Sequence, residues 1–312
     1  MVVDNAPQLF ASVIITTRNR KEELRNAIES ALAQTIPLEV LVMDDSSTDG
    51  TAEMVRSEFP SVHLERSETA FGLIVQRNRA ARLAGGDVIF SIDDDAAFTS
   101  PHTVAQTLHE FDSPHVGAVA IPYVEPRKSS VVHQQAPSAE GVFITDDFIG
   151  TAHAVRKDVF LQLGGYRELL IHQGEEMDFC IRMLAAGYMV RLGRADAIHH
   201  LESLRRDLRR MDFYGTRNSI LFAWQNVPWL YLPANLLMAT FNCIRWTLEP
   251  ARLNIRLRGI ARGFLDFSRA QRAPVCPATF KLWRVLRKRG PLPFEVVAAL
   301  LRTETAPNAV IH

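Results

Sequence analysis

Residues 86–95 combine a short apolar run, Val88–Ile92, with three carboxylates that follow it directly, Asp93, Asp94 and Asp95. Such an apolar run is typical of a strand buried on both faces of a parallel sheet. The acids begin where the strand would leave the sheet at its carboxyl end, the edge where open α/β sheets bind ligands. Adjacent like charges repel unless water or a cation neutralises them, and carboxylate oxygens suit a hard divalent ion that also holds phosphates. This stretch predicts a metal-bound diphosphate; a solvated acidic turn is the alternative.

Strand-like and helix-like stretches alternate upstream of these acids. The predicted strands cover 12–16, 39–43, 62–64 and 88–92, and the predicted helices cover 21–34, 51–59 and 71–84. This alternation predicts an α/β fold with a doubly wound, mostly parallel sheet and helices on both faces. No Gly-x-Gly-x-x-Gly follows the first strand, which argues against a dinucleotide-binding dehydrogenase, and the absence of a Gly-x4-Gly-Lys-Ser/Thr motif excludes a P-loop.

The zero net charge conceals two oppositely charged parts. Residues 1–200 carry 17 Lys and Arg against 28 Asp and Glu, whereas residues 201–312 carry 18 against 7. Such asymmetry suggests an anionic partner for the C-terminal part. The three cysteines show no ligand-like spacing, and residues 1–10 lack the pattern of a signal peptide. These features predict a cytoplasmic protein, with peripheral attachment to the inner face of the plasma membrane as an alternative.

Four motifs in this order resemble the signatures of family 2 glycosyltransferases with the GT-A fold, of the bacterial type. They are Ser12–Arg20, Val42–Thr51, Arg77–Asn78 ahead of Gly85–Asp87, and Asp93–Asp95. The resemblance covers about the first 220 residues and implies transfer of a sugar from a nucleotide donor with inversion at the anomeric carbon. Departures from the family pattern include Arg18, where an aromatic residue is common, and Ser46, where glycine is usual.

The resemblance also implies a binding site for the nucleotide and for Mg²⁺ or Mn²⁺. Thr16 and Asp45 correspond to residues that bind the base, and Arg77 could approach the ribose or diphosphate. The metal ligands implied are Asp95, Asp93 and a histidine. This histidine is either His199 or His200, since neighbours on a strand face opposite sides and only one of the two can point to the site. The candidate nucleotide-binding residues are Thr16, Arg18, Asp45, Arg77, Asp93 and Asp94.

A second acidic stretch, residues 174–182, predicts a helix that begins near Glu175. Its first-turn acids would gain from the helix dipole. By resemblance Glu176 occupies the position of the general base, and a positioned carboxylate can take the proton from an attacking hydroxyl. Asp178 is the alternative base, although it points roughly 200° around the helix from Glu176. Acids that serve only the helix dipole are the remaining interpretation.

The C-terminal part, residues 221–312, reads as a basic helical extension to a catalytic domain of residues 1–220. Its most apolar window, 227–248, contains prolines, asparagines and an arginine that are costly in a bilayer core, so an in-plane or buried amphipathic helix is predicted. Arg252, Arg256 and Arg258 follow, and basic amphipathic stretches beside aromatics favour an anionic membrane surface. Nucleic acid is disfavoured because no recognition motif is present. A helical subdomain with a solvated basic face is the alternative.

Together these features predict an inverting, metal-dependent glycosyltransferase in cell-envelope or exopolysaccharide synthesis. The expected donor is a UDP- or dTDP-sugar, and the expected acceptor is a glycan or a lipid-linked glycan. Two alternatives remain. A sugar nucleotidyltransferase should show a glycine-rich loop after the first strand, and 16–20 contains no glycine. A non-catalytic nucleotide-sugar-binding subunit would be expected to lose part of the acid set Asp45, Asp93, Asp95 and Glu176.

Overall fold

A computed structural model describes residues 9–201, 207–245 and 249–305. The strands, numbered in chain order, are β1 (Ala11–Thr17), β2 (Leu38–Asp44), β3 (His63–Arg66), β4 (Val88–Asp93), β5 (Ala96–Phe98), β6 (Val116–Ala120), β7 (Tyr123–Val124), β8 (Val132–His133), β9 (Phe143–Thr145), β10 (His153–Arg156), β11 (Met189–Leu192), β12 (Ile198–His200) and β13 (Leu292–Pro293). The helices are α1 (Lys21–Leu32), α2 (Thr51–Glu58), α3 (Leu73–Leu83), α4 (Thr103–His109), α5 (Lys157–Gln162), α6 (Glu175–Ala185), α7 (Leu208–Asn226), α8 (Leu232–Ile244), α9 (Pro250–Leu265), α10 (Pro277–Arg289) and α11 (Phe294–Thr305).

A nine-stranded sheet forms the centre of the fold, in the order β13-β9-β11-β6-β10-β4-β1-β2-β3. The four strands at one end, β3, β2, β1 and β4, pair in parallel, as the alternation of strands and helices predicts. Strand β10 lies antiparallel between β4 and β6, so β4 has one parallel and one antiparallel neighbour. A second sheet has four strands in the order β5-β12-β7-β8. All four of these strands follow β4 in the chain.

The strand register aligns the carboxyl ends of the central strands. Thr16 of β1 pairs with Met43 of β2 on one side and with Asp93 of β4 on the other. The polar residues that follow these strands therefore meet at one edge of the sheet, although they are separated by many residues in the chain. This edge carries the candidate site.

Both faces of the sheet are covered by helices, which explains why its central strands are apolar throughout. Val13 and Ile15 of β1 pack with α1 and α2 on one face, whereas Ile14 packs with α3 and α5 on the other. Fully burying one such side chain stabilises the fold by about 1.5–3 kcal/mol. The α/β class and the buried strands of the sequence prediction are confirmed.

The C-terminal residues form helices as predicted, but some of them return to the central sheet. Helix α7 runs across residue 220, and α8 and α9 pack against it. Strand β13 pairs with β9, and Phe280 and Trp283 of α10 share an apolar cluster with Ile181 of α6. The domain boundary at residue 220 stays a prediction.

Within the described ranges, no helix combines the length and the hydropathy that crossing a bilayer requires. The N-terminal residues 1–8, the basic residues Arg205 and Arg206, and the end of the apolar window at 246–248 lie outside the described residues.

Candidate active site

Two aspartates and a histidine converge at the end of β4. Each of Asp93, Asp95 and His200 offers one ligand atom, and these atoms lie within 4.8 Å of one another. His200 Nε2 is 3.4 Å from Asp95 Oδ1 and 4.0 Å from Asp93 Oδ2. The pairing of β12 with β5 places His200 opposite Ala96, directly after the acids. Of the two histidines that the sequence left open, His200 is therefore the one that faces the acids, whereas His199 is exposed.

The donor set fits a divalent cation. Two carboxylate oxygens and one imidazole nitrogen are ligands that Mn²⁺ accepts, and carboxylates alone also suit Mg²⁺. The second ring nitrogen of His200, Nδ1, lies 3.6 Å from Oε1 of Glu125. A carboxylate in this place orients a metal-bound imidazole and raises its basicity. Glu125 carries no sequence signal, since it follows a two-residue strand that only the second sheet brings near His200.

The third acid of the run, Asp94, is turned away from this cluster. Its Oδ1 accepts a hydrogen bond from Arg20 Nη1 at 2.7 Å, and the same guanidinium lies 3.3 Å from Asp95 Oδ2. Burial raises the pKa of Asp94 to about 7, and Arg20 opposes that rise. The predicted contact of Asp94 with a nucleotide stays a prediction. Sequence reasoning assigned no role to Arg20, although the residue closes the Ser12–Arg20 motif.

Arg77 lies beneath the cluster and links two groups of acids. Its side chain is 3% exposed, and Nη2 donates to Asp93 Oδ1 at 2.7 Å and to the Gly150 carbonyl at 3.1 Å. Its Nη1 is 3.5 Å from Glu175 Oε1 and 3.6 Å from Glu176 Oε1. Burial opposes the charge, yet the carboxylates outweigh it and raise the pKa of the guanidinium. Arg77 thus positions the metal-site acid Asp93 relative to Glu176, and its contact with a nucleotide stays a prediction.

Glu176 is the more accessible of the two acids that begin α6. Its side chain is 19% exposed, whereas that of Glu175 is 2% exposed. Burial raises the pKa of both carboxyls, and their mutual repulsion adds to the rise at Glu175. Helix α6 starts after Gly174, which has a φ of +84°, a conformation that glycine adopts without strain. The predicted start of this helix at Glu175 is confirmed.

Asp178, the alternative base in the sequence, is buried and held by three side chains. Its side chain is 1% exposed, and its oxygens accept hydrogen bonds from Arg167, from Arg182 Nε at 3.1 Å and from Asn226 Nδ2 at 2.7 Å. Asp178 therefore holds α6 against α7. Its role as an alternative base stays a prediction.

Helix α7 fixes the loop that leads into α6. Nδ2 of Asn218 donates to the carbonyls of Leu170, His172 and Gln173 at 2.7–2.9 Å. Ile171 and Gln173 have φ values of +64° and +67°, which are uncommon for residues with a side chain. The contacts of Asn218 hold this strained loop, and with it the position of Glu176.

The remaining candidate residues line the ends of β1 and β2. Thr16 is buried at 8% exposure, whereas Arg18 is exposed. The Asp45 carboxylate accepts from the Phe71 and Gly72 amides and from Gln76 Nε2, at 2.7–2.9 Å. It thereby fixes the loop before α3 at the sheet edge. The roles of Thr16, Arg18 and Asp45 in nucleotide binding stay predictions.

The backbone conformation of Ser46 accounts for the usual glycine at this position of the family pattern. Its φ is +67°, a conformation that glycine adopts freely. The Ser46 hydroxyl donates to the Glu68 carbonyl at 3.0 Å, which helps to hold the residue in place.

The Gly150→Ala substitution tests how closely Glu176 and Arg77 must be placed. A Cβ at residue 150 would overlap Glu176 Oε1 and lie 2.7 Å from Arg77 Nη1. Both atoms end flexible side chains, so we expect the fold to survive while the two groups move. A displacement near 1 Å at a reacting group costs about 10²-fold in rate. We expect a fall of kcat of that order with a change in melting temperature of less than about 3 °C, measured by steady-state kinetics and calorimetry.

Gly85→Ala is the matched control, because the nearest atoms to its added Cβ lie at ordinary contact distances of 3.7 Å. Gly85 lies between α3 and the start of β4, whereas Asp93 lies at the other end of β4. Equal rates for the two alanine variants would show that the position of Glu176 does not limit the reaction.

The sequence of the chain is similar to known glycosyltransferases. The family model for Glycosyl transferase family 2 matches residues 12–164. The glucosyl-dolichyl phosphate glucuronosyltransferase of Haloferax volcanii is 26% identical over 197 residues, which are 55% of this chain and 62% of that protein. The succinoglycan biosynthesis protein ExoU of Rhizobium meliloti is 27% identical over 197 residues, which are 56% of this chain and 57% of that protein. The chain thus spans about three fifths of these two relatives.

The fold is also similar to a solved structure. The mannosyltransferase PcManGT from Pyrobaculum calidifontis, in complex with GDP-Man and Mn²⁺, superposes with a TM-score of 0.56 at 21% identity, covering 96% of this chain and 80% of that chain. At this identity the likeness establishes the fold, which is the GT-A fold, with a helical C-terminal region.

Proposed function

Residues 12–164 place the chain in glycosyl transferase family 2, and we propose that it is an inverting, metal-dependent enzyme that transfers a sugar from a nucleoside diphosphate to an acceptor hydroxyl. One observation carries this proposal. Arg77 contacts both the candidate metal ligand Asp93 and Glu176, so that a cation-binding acid and a partly exposed carboxylate lie on either side of one guanidinium. A diphosphate leaving group needs the cation that such an acid binds, and a nucleophilic hydroxyl needs a carboxylate that accepts its proton.

The nucleotide donor occupies the edge formed by β1, β2 and β4. Thr16 and Asp45 lie at the base end of this edge, and Arg18 is exposed at its mouth. A base bound here shares the Asp45 carboxylate with the amides of Phe71 and Gly72. A UDP- or dTDP-sugar is the proposed donor; structural neighbours include complexes with UDP-GlcNAc and with GDP-Man.

Asp93, Asp95 and His200 would hold Mg²⁺ or Mn²⁺, with Glu125 orienting the imidazole. A bound divalent ion neutralises the charge that develops on a departing diphosphate. The contributions of the chain itself are the fixed carboxylates, the buried guanidinium of Arg77 and the loop before α6, which Asn218 holds in place.

The acceptor is activated by Glu176. Its carboxylate accepts the proton of the acceptor hydroxyl while the hydroxyl oxygen forms a bond to the anomeric carbon. The bond from that carbon to the diphosphate oxygen breaks on the opposite face, which inverts the configuration, through an oxocarbenium-like transition state. Positioned general bases of this kind contribute about 10²–10⁴-fold.

The proposed acceptor is an envelope glycan or a lipid-linked glycan on the cytoplasmic side of the membrane. The Haloferax volcanii relative acts, by its name, on a dolichyl phosphate-linked sugar, and the Rhizobium meliloti relative serves succinoglycan biosynthesis. The complete acid set, Asp45, Asp93, Asp95 and Glu176, favours an active enzyme over a binding subunit.

A screen of nucleotide sugars tests the proposal. Titration calorimetry with UDP-, dTDP- and GDP-sugars, with Mn²⁺ or with a chelator, should show binding to at least one donor that requires the cation. Slow release of the nucleoside diphosphate should accompany that binding. Anomeric NMR of the transferred product, with a retained configuration, would overturn the inverting mechanism. Binding of no donor at millimolar concentration would overturn the proposed function.

The pH dependence of turnover follows from the environment of Glu176. A base must be ionised to accept a proton, and burial raises the pKa of Glu176 above the ordinary 4.5 of a glutamate. We expect kcat, measured with saturating donor and Mn²⁺, to fall as the pH drops through a value above 4.5. Donor affinity over the same pH range is the control. An acidic limb at or below pH 4.5 would contradict the assignment, as would an unchanged limb in Glu176→Gln.

A further inference from the structure

The outward face of α8 is apolar, which is unusual for a helix at a protein surface. The helix turns Pro233, Ala234, Leu237, Met238 and Phe241 away from the fold. Leu237 is 73% exposed, Met238 53% and Phe241 52%. Contiguous exposed apolar surface of this kind marks an interaction site with a protein or a membrane.

A chain of ring contacts connects two further exposed apolar residues, Trp229 just before α8 and Phe264 of α9. Trp229, 65% exposed, contacts Trp224 at a ring distance of 5.9 Å. Trp224 stacks on Phe267 at 4.3 Å, and Phe267 contacts Phe264 of α9 at 5.4 Å. Phe264 is 42% exposed. The α8–α9 surface is defined here as the exposed apolar residues Trp229, Leu230, Leu237, Met238, Phe241, Phe264 and Leu265.

Basic residues outnumber acidic ones along α8 and α9: residues 232–265 contain five arginines and one acid, Glu249. Residues 227–248 contain no acidic residue. The Arg245 guanidinium lies 5.9 Å from the ring centre of Phe241, and Arg258 of α9 is exposed. Two arginines that the sequence suggested for such a surface have another role: Arg252 and Arg256 bind the buried carboxylate of Asp212 and fasten α9 to α7. The basic rim therefore consists of Arg245 and Arg258.

We propose that the α8–α9 surface docks on an anionic lipid bilayer, with α8 lying in the plane of the interface. Exposed Leu, Met and Phe would enter the acyl boundary, Trp229 would lie at headgroup level, and the arginines would meet lipid phosphates. Self-association through this face would bring like charges together, which favours a membrane over a second copy of the chain. The inference does not depend on the proposed sugar transfer.

The same helices are tied to the candidate active site. Arg217 of α7 donates to Asp266, just after α9, at 2.7 Å and to the Leu169 carbonyl at 2.9 Å. Its neighbour Asn218 holds the loop before Glu176. Docking of α8 and α9 on a bilayer would thus set the orientation of Glu176 relative to the membrane. A fixed orientation suits an acceptor that is presented from a membrane.

Sedimentation of the full chain with vesicles tests the proposal. We expect the protein to pellet with vesicles of phosphatidylcholine and 30% phosphatidylglycerol at low salt, and to pellet far less with phosphatidylcholine alone. The expected partition coefficient falls at least tenfold in Leu237→Glu/Phe241→Glu and, in low salt, about fivefold for each of Arg245→Gln and Arg258→Gln. High salt should reproduce the effect of the arginine variants.

Leu83→Glu is the matched control, since Leu83 is 47% exposed on α3, away from this surface. It should pellet like the unmodified chain. Quenching of Trp fluorescence by brominated lipids, lost in Trp229→Phe, should confirm which face is inserted. Equal pelleting of all variants, or a concentration-dependent dimer abolished by Leu237→Glu/Phe241→Glu without vesicle binding, would overturn the proposal. Donor binding in solution should be unchanged in every variant, so a failure here is distinct from a failure of the proposed function.

Discussion

Replacing Asp95 with asparagine is expected to abolish cation-dependent donor binding and to reduce transfer about 10³-fold, because a bound metal stabilises the leaving charge by several kcal/mol. Asp95 is 6% exposed and interacts with Arg20 and His200, so the isosteric amide is the safer substitution. Alanine would leave a gap between these two side chains. Titration calorimetry with UDP and Mn²⁺ measures the loss, and thermal unfolding checks that the fold is kept.

The two histidines of β12 supply a matched pair of controls for this experiment. His200→Ala should weaken binding of Mn²⁺, because it removes the nitrogen ligand, whereas His199→Ala should not, because that side chain is exposed and points away. Unchanged UDP and Mn²⁺ affinity in Asp95→Asn would refute the metal assignment. Equal losses in both histidine variants would show that the effect is structural.

Replacing Glu176 with glutamine is expected to lower kcat by about 10²–10⁴-fold while donor affinity stays within a few-fold of normal. The change removes the proton acceptor and keeps the shape of the side chain. The loss of one carboxylate beside Arg77 leaves Asp93 and Glu175 to hold the guanidinium. Steady-state kinetics with a competent acceptor and calorimetry with the donor separate the two effects.

Asp178→Asn provides the contrast for Glu176→Gln. The Asp178 carboxylate pairs with Arg167 and Arg182, and removing one partner of a buried ion pair costs about 3–5 kcal/mol. We expect a lower melting temperature and, for the molecules that remain folded, a kcat close to normal. Near-normal turnover of Glu176→Gln would move the base elsewhere; a catalytic loss in Asp178→Asn at full stability would move it to Asp178.

Much of the fold follows from patterns that are local in the chain. The apolar runs at β1, β2 and β4 predict strands covered on both sides, since each run is too apolar to face water, and helices cover both faces of the sheet. The start of α6 at Glu175 is also readable, because a helix start depends on neighbouring residues. The antiparallel insertion of β10 between β4 and β6 had no such signal, because strand order depends on contacts between distant segments.

The sequence by itself determined the acid-tipped strand and the alternation of elements, because each depends on residue types at short, regular spacing. The candidate base Glu176 comes from the resemblance to the family and stays a prediction. Only the tertiary structure decided that His200 faces the acids, that Arg77 joins Asp93 to Glu176, and that Asp178 is committed to Arg167 and Arg182. It also showed that Arg252 and Arg256 bind Asp212 while the outer face of α8 stays uncovered. The physical reason is the same in each case: the direction and partner of a side chain depend on which distant elements pack beside it, and one sequence position carries no record of that neighbour.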